Sequence, residues 1–209
     1  MEEFIPEAGE FDLTSGALAL DFVNTLSGRY DDEPRDGLRS YDELLSFARG
    51  VDCIDAAETG ALAQLALRFP DEAARALADA TRVREVLFVI FSSVAAGHTP
   101  LQVDLNRIEP SLTRAAGQRR LHLQDGRVAL GWEPIGDEPA FLERPLWSIV
   151  QDAVDLLVHG ELDRVRECAA DDCGWLFIDT TRNRSRRWCS MQTCGNRAKV
   201  SSFRARKRD

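Results

Sequence analysis

The sequence predicts an α+β protein of two unequal parts: an α-rich N-terminal domain that carries one β-hairpin, and a small cysteine-rich C-terminal module that ends in a basic helix. Three observations carry that prediction. Apolar residues recur at helical spacing through most of the first 160 positions, a stretch of alternation around an Asp-Gly pair interrupts them once, and four of the five cysteines fall between residues 168 and 194, where the sign of the charge also changes.

The first element is a short helix. Leu18, Phe22 and Leu26, with Ala19 and Val23, share one face and leave Asp21, Asn24 and Thr25 on the other. Periodicity alone reads that second face as solvated. A competing reading sets Asp21 and Asn24, with Arg84 of a later helix, around a pocket for an unknown small molecule. Ser40 and Glu43 form a capping-box pattern that opens a second helix over 40–48. A third, rich in alanine and leucine, covers 56–68 and stops before Pro70. The strongest pattern runs from Asp71 to Ala96, with Ala73, Leu77, Ala80, Val83, Leu87, Ile90, Phe91 and Val94 at helical spacing and Gly97 as its end. This is the expected central core helix. Helical character continues over 101–116, and then Leu121 to Gln124, Asp125-Gly126 and Arg127 to Trp132 read as strand, turn and strand. Pro145 opens a last helix that Gly160 closes. That glycine divides an N-terminal domain, 1–160, from a module, 161–209.

Charge separates the same two parts. Residues 1–160 hold 28 acidic and 14 basic side chains, a net of −14, whereas residues 179–209 hold ten Lys and Arg against two Asp, a net of +8. The acidic whole-chain balance of −9 conceals a basic end, which suits a polyanion. The longest purely apolar run, Val86 to Phe91, is far short of the roughly 20 residues a membrane span needs. The acidic start, Met-Glu-Glu-Phe-Ile-Pro, has no leader character. A cytoplasmic protein with no membrane partner is expected, in which thiols stay reduced.

The cysteines stand in two matched pairs, Cys168-x4-Cys173 and Cys189-x4-Cys194, each followed by a glycine, Gly174 and Gly195. Two short loops that each supply two thiolates complete the tetrahedral shell of one structural Zn²⁺. Glycine after each pair fits a loop that needs positive φ. Between the pairs lies room for a strand, a turn and a return, the zinc-ribbon plan. Two disulfides remain the main alternative on spacing alone. Cys53 has no neighbour in sequence and reads as a buried small hydrophobe.

Within the module, Trp175 to Asp179 reads as a strand and Arg182, Arg184, Arg186 and Arg187 as a basic turn. After Cys194, Asn196 is an N-cap candidate for a helix to Arg208 that presents Arg197, Lys199, Arg204, Arg206, Lys207 and Arg208, with Val200 and Phe203 turned inward. A basic helix on a metal-braced ribbon suits nucleic-acid phosphates, DNA preferred over RNA, though Trp175, Trp188 and Phe203 are candidates for base stacking. A homodimer would strengthen such binding, yet no heptad is visible. There is no G-x-S-x-G, P-loop or G-x-G-x-x-G, and His98, His122 and His159 are isolated, so no enzyme is expected. The alternative is a ligand-binding or catalytic body whose zinc module is a brace or a protein-docking element.

These residues carry a resemblance. Trp188-Cys189-Ser190-Met191, then Cys194-Gly195-Asn196-Arg197 and Lys199, preceded by the first cysteine pair, Leu176-Phe177 and Asp179, is similar to the CGNR zinc-finger family. Leu18 to Thr25 followed by Ser40 to Leu45 resembles the opening of the ABATE domain that such proteins carry. The resemblance implies a bacterial, stress-linked transcription regulator in which Cys168, Cys173, Cys189 and Cys194 bind zinc.

Overall fold

In the computed structural model, which describes residues 11–200, six helices and three two-stranded antiparallel sheets follow in the order α1 (Leu18–Val23), β1 (Leu26–Ser27), β2 (Arg35–Asp36), α2 (Tyr41–Gly50), α3 (Ala56–Arg68), α4 (Pro70–Ala95), α5 (Gln102–Gly117), β3 (Arg119–Gln124), β4 (Arg127–Trp132), α6 (Arg144–His159), β5 (Val165–Glu167) and β6 (Leu176–Ile178). A helical segment begins at Met191. Among the described residues no helix is long and apolar enough to cross a membrane.

Capping chemistry sets the start of two helices, α2 and α3. Ser40 closes the expected capping box with Glu43, and Asp55 makes a second one with Glu58 at the head of α3. Pro70 occupies the first turn of α4, where its missing N–H costs nothing. At 26 residues, about 39 Å long, α4 is the central helix, in contact with α1, α2, α3, α5, β5 and β6. Its Ala80, Val83, Leu87, Ile90 and Phe91 are buried in one cluster with Leu20, Phe22 and Val23 of α1, Phe47 of α2 and Ile149 and Val150 of α6. Each large side chain buried there stabilises the fold by roughly 1.5–3 kcal/mol. Cys53 lies in the same cluster, and burial pushes its thiol up to about 12.

The first helix departs from expectation. It stops at Val23, and Asn24 and Thr25, expected in water, are buried. The reason lies 152 residues away: Asn24 Nδ2 donates to the Leu176 carbonyl at 2.8 Å, and Leu176 N–H donates to Asn24 Oδ1 at 2.9 Å. One side-chain amide thus completes the free edge of β6 as a neighbouring strand would. Ile178 N–H adds a bond to the Ser15 carbonyl at 2.7 Å, and Leu176 itself is fully buried in the main core. The C-terminal module is therefore packed into the helical body.

A partly buried ionic network supports the same junction. Arg84 grips Asp36 with two bonds of 2.6 and 2.7 Å, reaches Thr25 Oγ1 at 3.2 Å and meets Glu85 at 2.9 Å. Glu85 in turn holds Arg29, which lies over the Phe88 ring at 4.0 Å. Partial burial pushes the Asp36 carboxyl up, but the Arg84 guanidinium and the Leu38 N–H outweigh it and hold the group below its ordinary value. The remaining strands are short. β5 pairs with β6, so the strand leaving the first cysteine loop pairs with the one entering it, and the expected return strand beyond Asp179 is an irregular loop.

Replacing Asn24 with Leu leaves two buried backbone groups unpaired and should cost about 2–4 kcal/mol in denaturant unfolding; a change within a few tenths would contradict the clamp. Asp36→Asn should cost about 1–3 kcal/mol at neutral pH, discounted because the Asp36 side chain keeps 36% exposure. Its folded-state value is depressed, so the stability it confers is present above the ordinary 3.8 and fades as pH falls through the folded value. Wild type and variant should therefore converge in strong acid.

Candidate metal centre and basic surface

Two loops and one turn deliver the four thiols. Cys168 and Cys173 flank a tight loop between β5 and β6, and Gly174 leaves it at φ +69°, the left-handed conformation the sequence calls for. A Cβ at Gly174 would also come within 2.9 Å of Arg29 Cβ, so glycine lets the body approach the loop. Arg29 N–H and Tyr30 N–H donate to the Cys173 and Asp172 carbonyls at 3.2 and 3.4 Å. Gly195 differs from expectation. It has no positive φ and sits inside the π-helical turn Met191–Gly195, where it makes room for the Met191 side chain.

All four thiols are buried and free, and their sulfurs lie within 4.8 Å of one another. The Cys173–Cys189 and Cys189–Cys194 separations are 3.7 and 3.6 Å. These are far beyond a covalent S–S bond. A tetrahedron with Zn–S bonds of ~2.3 Å has edges of roughly 3.8 Å, so the spacing fits one Zn²⁺ held by four sulfurs with no open position. Hydrogen bonds within the quartet pull the Cys168 and Cys194 thiols down and push Cys173 and Cys189 up. A divalent cation at the centre stabilises coordinating sulfurs as thiolates. Phe177, Trp175, Trp188 and Ala170 pack around the sulfurs and limit water access.

The structure then divides the expected basic surface into two groups. Arg186 lies over Phe177 at 4.3 Å and donates Nε–H to the Trp188 carbonyl at 3.1 Å and Nη2 to the Cys189 carbonyl. Arg197 makes a two-pronged pair with Asp172 at 2.8 and 3.2 Å and donates to Cys194 Sγ at 3.2 Å. Both arginines brace the metal loops: Arg186 had been expected to meet phosphate, whereas for Arg197 bracing the metal loop was one of the two expected roles, beside sequence preference. Arg197 ties the second cysteine pair to the first and offsets part of the negative charge of a four-thiolate centre. Arg184 is paired with Asp163. Arg182, Arg187 and Lys199 are exposed and have no carboxylate partner among the described residues, Arg187 lying 5.0 Å over the Trp188 ring. Arg204, Arg206, Lys207, Arg208 and Phe203 lie outside the described residues.

Asp179 carries a role that sequence reasoning missed. Fully buried, it accepts from Thr181 Oγ1 at 2.5 Å, from Thr181 N–H at 2.9 Å and from Arg186 N–H at 2.9 Å, which fixes both ends of the basic turn. Those bonds, Thr181 first, hold its carboxyl below the ordinary range. An acid three residues ahead of a cationic cluster was the available signal. The helix beyond Cys194 also starts earlier than expected. Ser190 caps it by accepting from Gln192 and Thr193 N–H, Asn196 donates to the Gln192 carbonyl, and Val200 is exposed rather than tucked inward.

The candidate pocket of Asp21, Asn24 and Arg84 does not assemble. Asn24 is spent on Leu176 and Arg84 on Asp36 and Glu85, while Asp21 accepts the Ser15 N–H at 3.0 Å. Burial raises the Asp21 carboxyl despite that bond. All three serve the fold.

Comparison with known families agrees with this geometry. Residues 16–160 match the ABATE model, described as "Putative stress-induced transcription regulator", and residues 164–207 match the CGNR zinc finger. No curated protein matches the chain.

Purified chain should hold one zinc with four sulfurs at ~2.3 Å by X-ray absorption, and a chelator should abolish the module's order while most helical signal persists. Two disulfides, or no zinc, would contradict the site. Arg197→Ala should weaken zinc binding about 10–100-fold. At saturating zinc the same variant should leave the salt dependence of any nucleic-acid binding unchanged, because Arg197 is already occupied.

Proposed function

The chain belongs to the ABATE family and carries a CGNR zinc finger, and on that premise we propose that it regulates transcription in the bacterial cytoplasm by binding nucleic acid, DNA before RNA, through the zinc-braced module. The role is one of binding, with no chemical step. The observation that carries the reading is the division of labour among the arginines. Arg186 and Arg197 build the metal loops from within, which leaves Arg182, Arg187 and Lys199 held outward on a rigid frame without carboxylate partners among the described residues. A backbone already held by the metal loops spares the turn its own ordering cost on meeting phosphate, and arginine forks suit phosphate oxygens.

The acidic body shapes how the module works. Its net charge of −14 repels a polyanion that approaches from any other side and directs contact to the basic end. Because β6 is clamped by Asn24, the body cannot swing away from the module without breaking buried hydrogen bonds. A signal received by the body would then reach the basic turn through β6, Asp179 and the loop that Asp179 holds.

The zinc-loaded chain should bind duplex DNA with log K falling against log[salt] at a slope of roughly −3 to −5, as expected for about four to six phosphate contacts. Arg182→Ala with Arg187→Ala should flatten the slope by nearly two and weaken all sequences alike. If neither DNA nor RNA is bound even at low salt, the basic face is a protein-docking surface instead.

A further inference from the structure

The rung of the β5–β6 ladder that closes the first cysteine loop is held by the body from both sides. Glu167 stands opposite Leu176, and just beyond them Cys168 N–H donates to the Trp175 carbonyl at 2.8 Å. On the Leu176 side the grip is the Asn24 amide. On the Glu167 side it is a pair of hydroxyls. Tyr30, 137 residues away in sequence, donates its phenolic O–H to Glu167 Oε1 at 2.7 Å, and Ser92 of α4 donates Oγ–H to Glu167 Oε2 at 2.5 Å. The far end of the loop sits on the same part of the body, through the Arg29 and Tyr30 N–H groups on the Cys173 and Asp172 carbonyls and through Gly174, whose missing Cβ admits Arg29 and the Tyr30 ring. Tyr30 is itself set edge-on against Phe88 of α4, with ring centroids 6.4 Å apart. By contrast, among the described residues the apolar side chains packed on the sulfurs all come from the module.

We propose that Tyr30 and Ser92 are positioning residues for the zinc site, and that zinc capture and the docking of Glu167 on the body form one coupled equilibrium. The body then sets the metal affinity of the module. The physical reason is linkage. Both hydroxyl bonds reach the residue next to a metal ligand, so they exist only while the first loop is ordered, and that order depends on the metal. A contact made in the metal-bound state and lost in the metal-free state adds its free energy to metal binding. The coupling is also reciprocal, so zinc stabilises the body by the same factor by which the body strengthens zinc. Glu167 suits the part because hydrogen bonds to a carboxylate are charge-assisted and stronger than neutral ones. Its charge alone would do the reverse, since a negative group beside four thiolates opposes their gathering. What Glu167 contributes is therefore the pair of bonds to Tyr30 and Ser92. The coupling needs no nucleic acid and operates in the zinc-loaded chain alone.

The full-length chain carrying Tyr30→Phe and Ser92→Ala tests this, because the two substitutions delete the donors and keep the ring against Phe88 and the helix. Zinc affinity, measured by competition with a chromophoric chelator, should fall about 10–100-fold. The visible spectrum of the cobalt-substituted variant at saturation should remain that of a tetrahedron of four sulfurs, which shows that the ligands themselves are unchanged. Urea unfolding of the helical body closes the cycle. Without zinc, variant and wild type should unfold at the same urea concentration, whereas with zinc the wild type should be more stable by the factor lost in zinc affinity. A zinc affinity within about twofold of wild type would overturn the proposal. So would an equal loss of stability with and without zinc, which would make Tyr30 and Ser92 supports of the body alone.

Discussion

Four thiolates gathered around one cation are the constraint on which the C-terminal module depends. Residues 161–200 contain two strands of three residues each, one 3-10 turn and a short helical stretch over 191–200, far too little apolar surface to fold alone. A metal shell replaces the missing core, and it does so by fixing loops rather than by adding bulk. Once Cys168, Cys173, Cys189 and Cys194 are held within 4.8 Å, the directions of Arg186, Arg197 and the 180–187 turn follow from short, local hydrogen bonds. The outward cations are consequences of that frame.

The second dependence joins module to body, and it rests on a single amide. Asn24 is uncharged and offers a donor and an acceptor at the spacing of a peptide group, so it can stand in for a strand beside Leu176 without the penalty of a buried charge. Aspartate would accept but not donate, and leucine would do neither. Around this clamp the body supplies a partly buried network, Asp36 to Arg84 to Glu85 to Arg29, whose last member lies under the first cysteine loop. The helical core and the metal centre are thus connected through a continuous network of ion pairs and hydrogen bonds, in which only the buried Arg29 Nε lacks a partner among the described residues.

Much of this was legible in the sequence, and what was legible was local. The periodicities of α2 to α6, the Ser40 capping box, the Asp125-Gly126 turn and the cysteine spacing all concern residues within a few turns of one another. The hidden parts are long-range. Asn24 was read as solvated because a helical wheel knows nothing of a strand 152 positions away. Arg186 was read as a phosphate ligand because a run of arginines looks uniform, whereas the place of Arg197 beside the second cysteine pair already allowed it a bracing role, and the fold shows which of the two faces a carbonyl and which a sulfur. Val200 was placed inward by spacing alone, whereas it is exposed.

The central claim is that a zinc-shaped surface on this chain binds nucleic acid. Titrating a chelator into the full-length protein, with bound zinc and DNA affinity followed on the same samples, tests it most directly. Affinity should fall in proportion to zinc removed, reaching its floor when one ion per chain is gone, while helical signal from the body stays largely intact. DNA binding that persists undiminished in the zinc-free protein would contradict it.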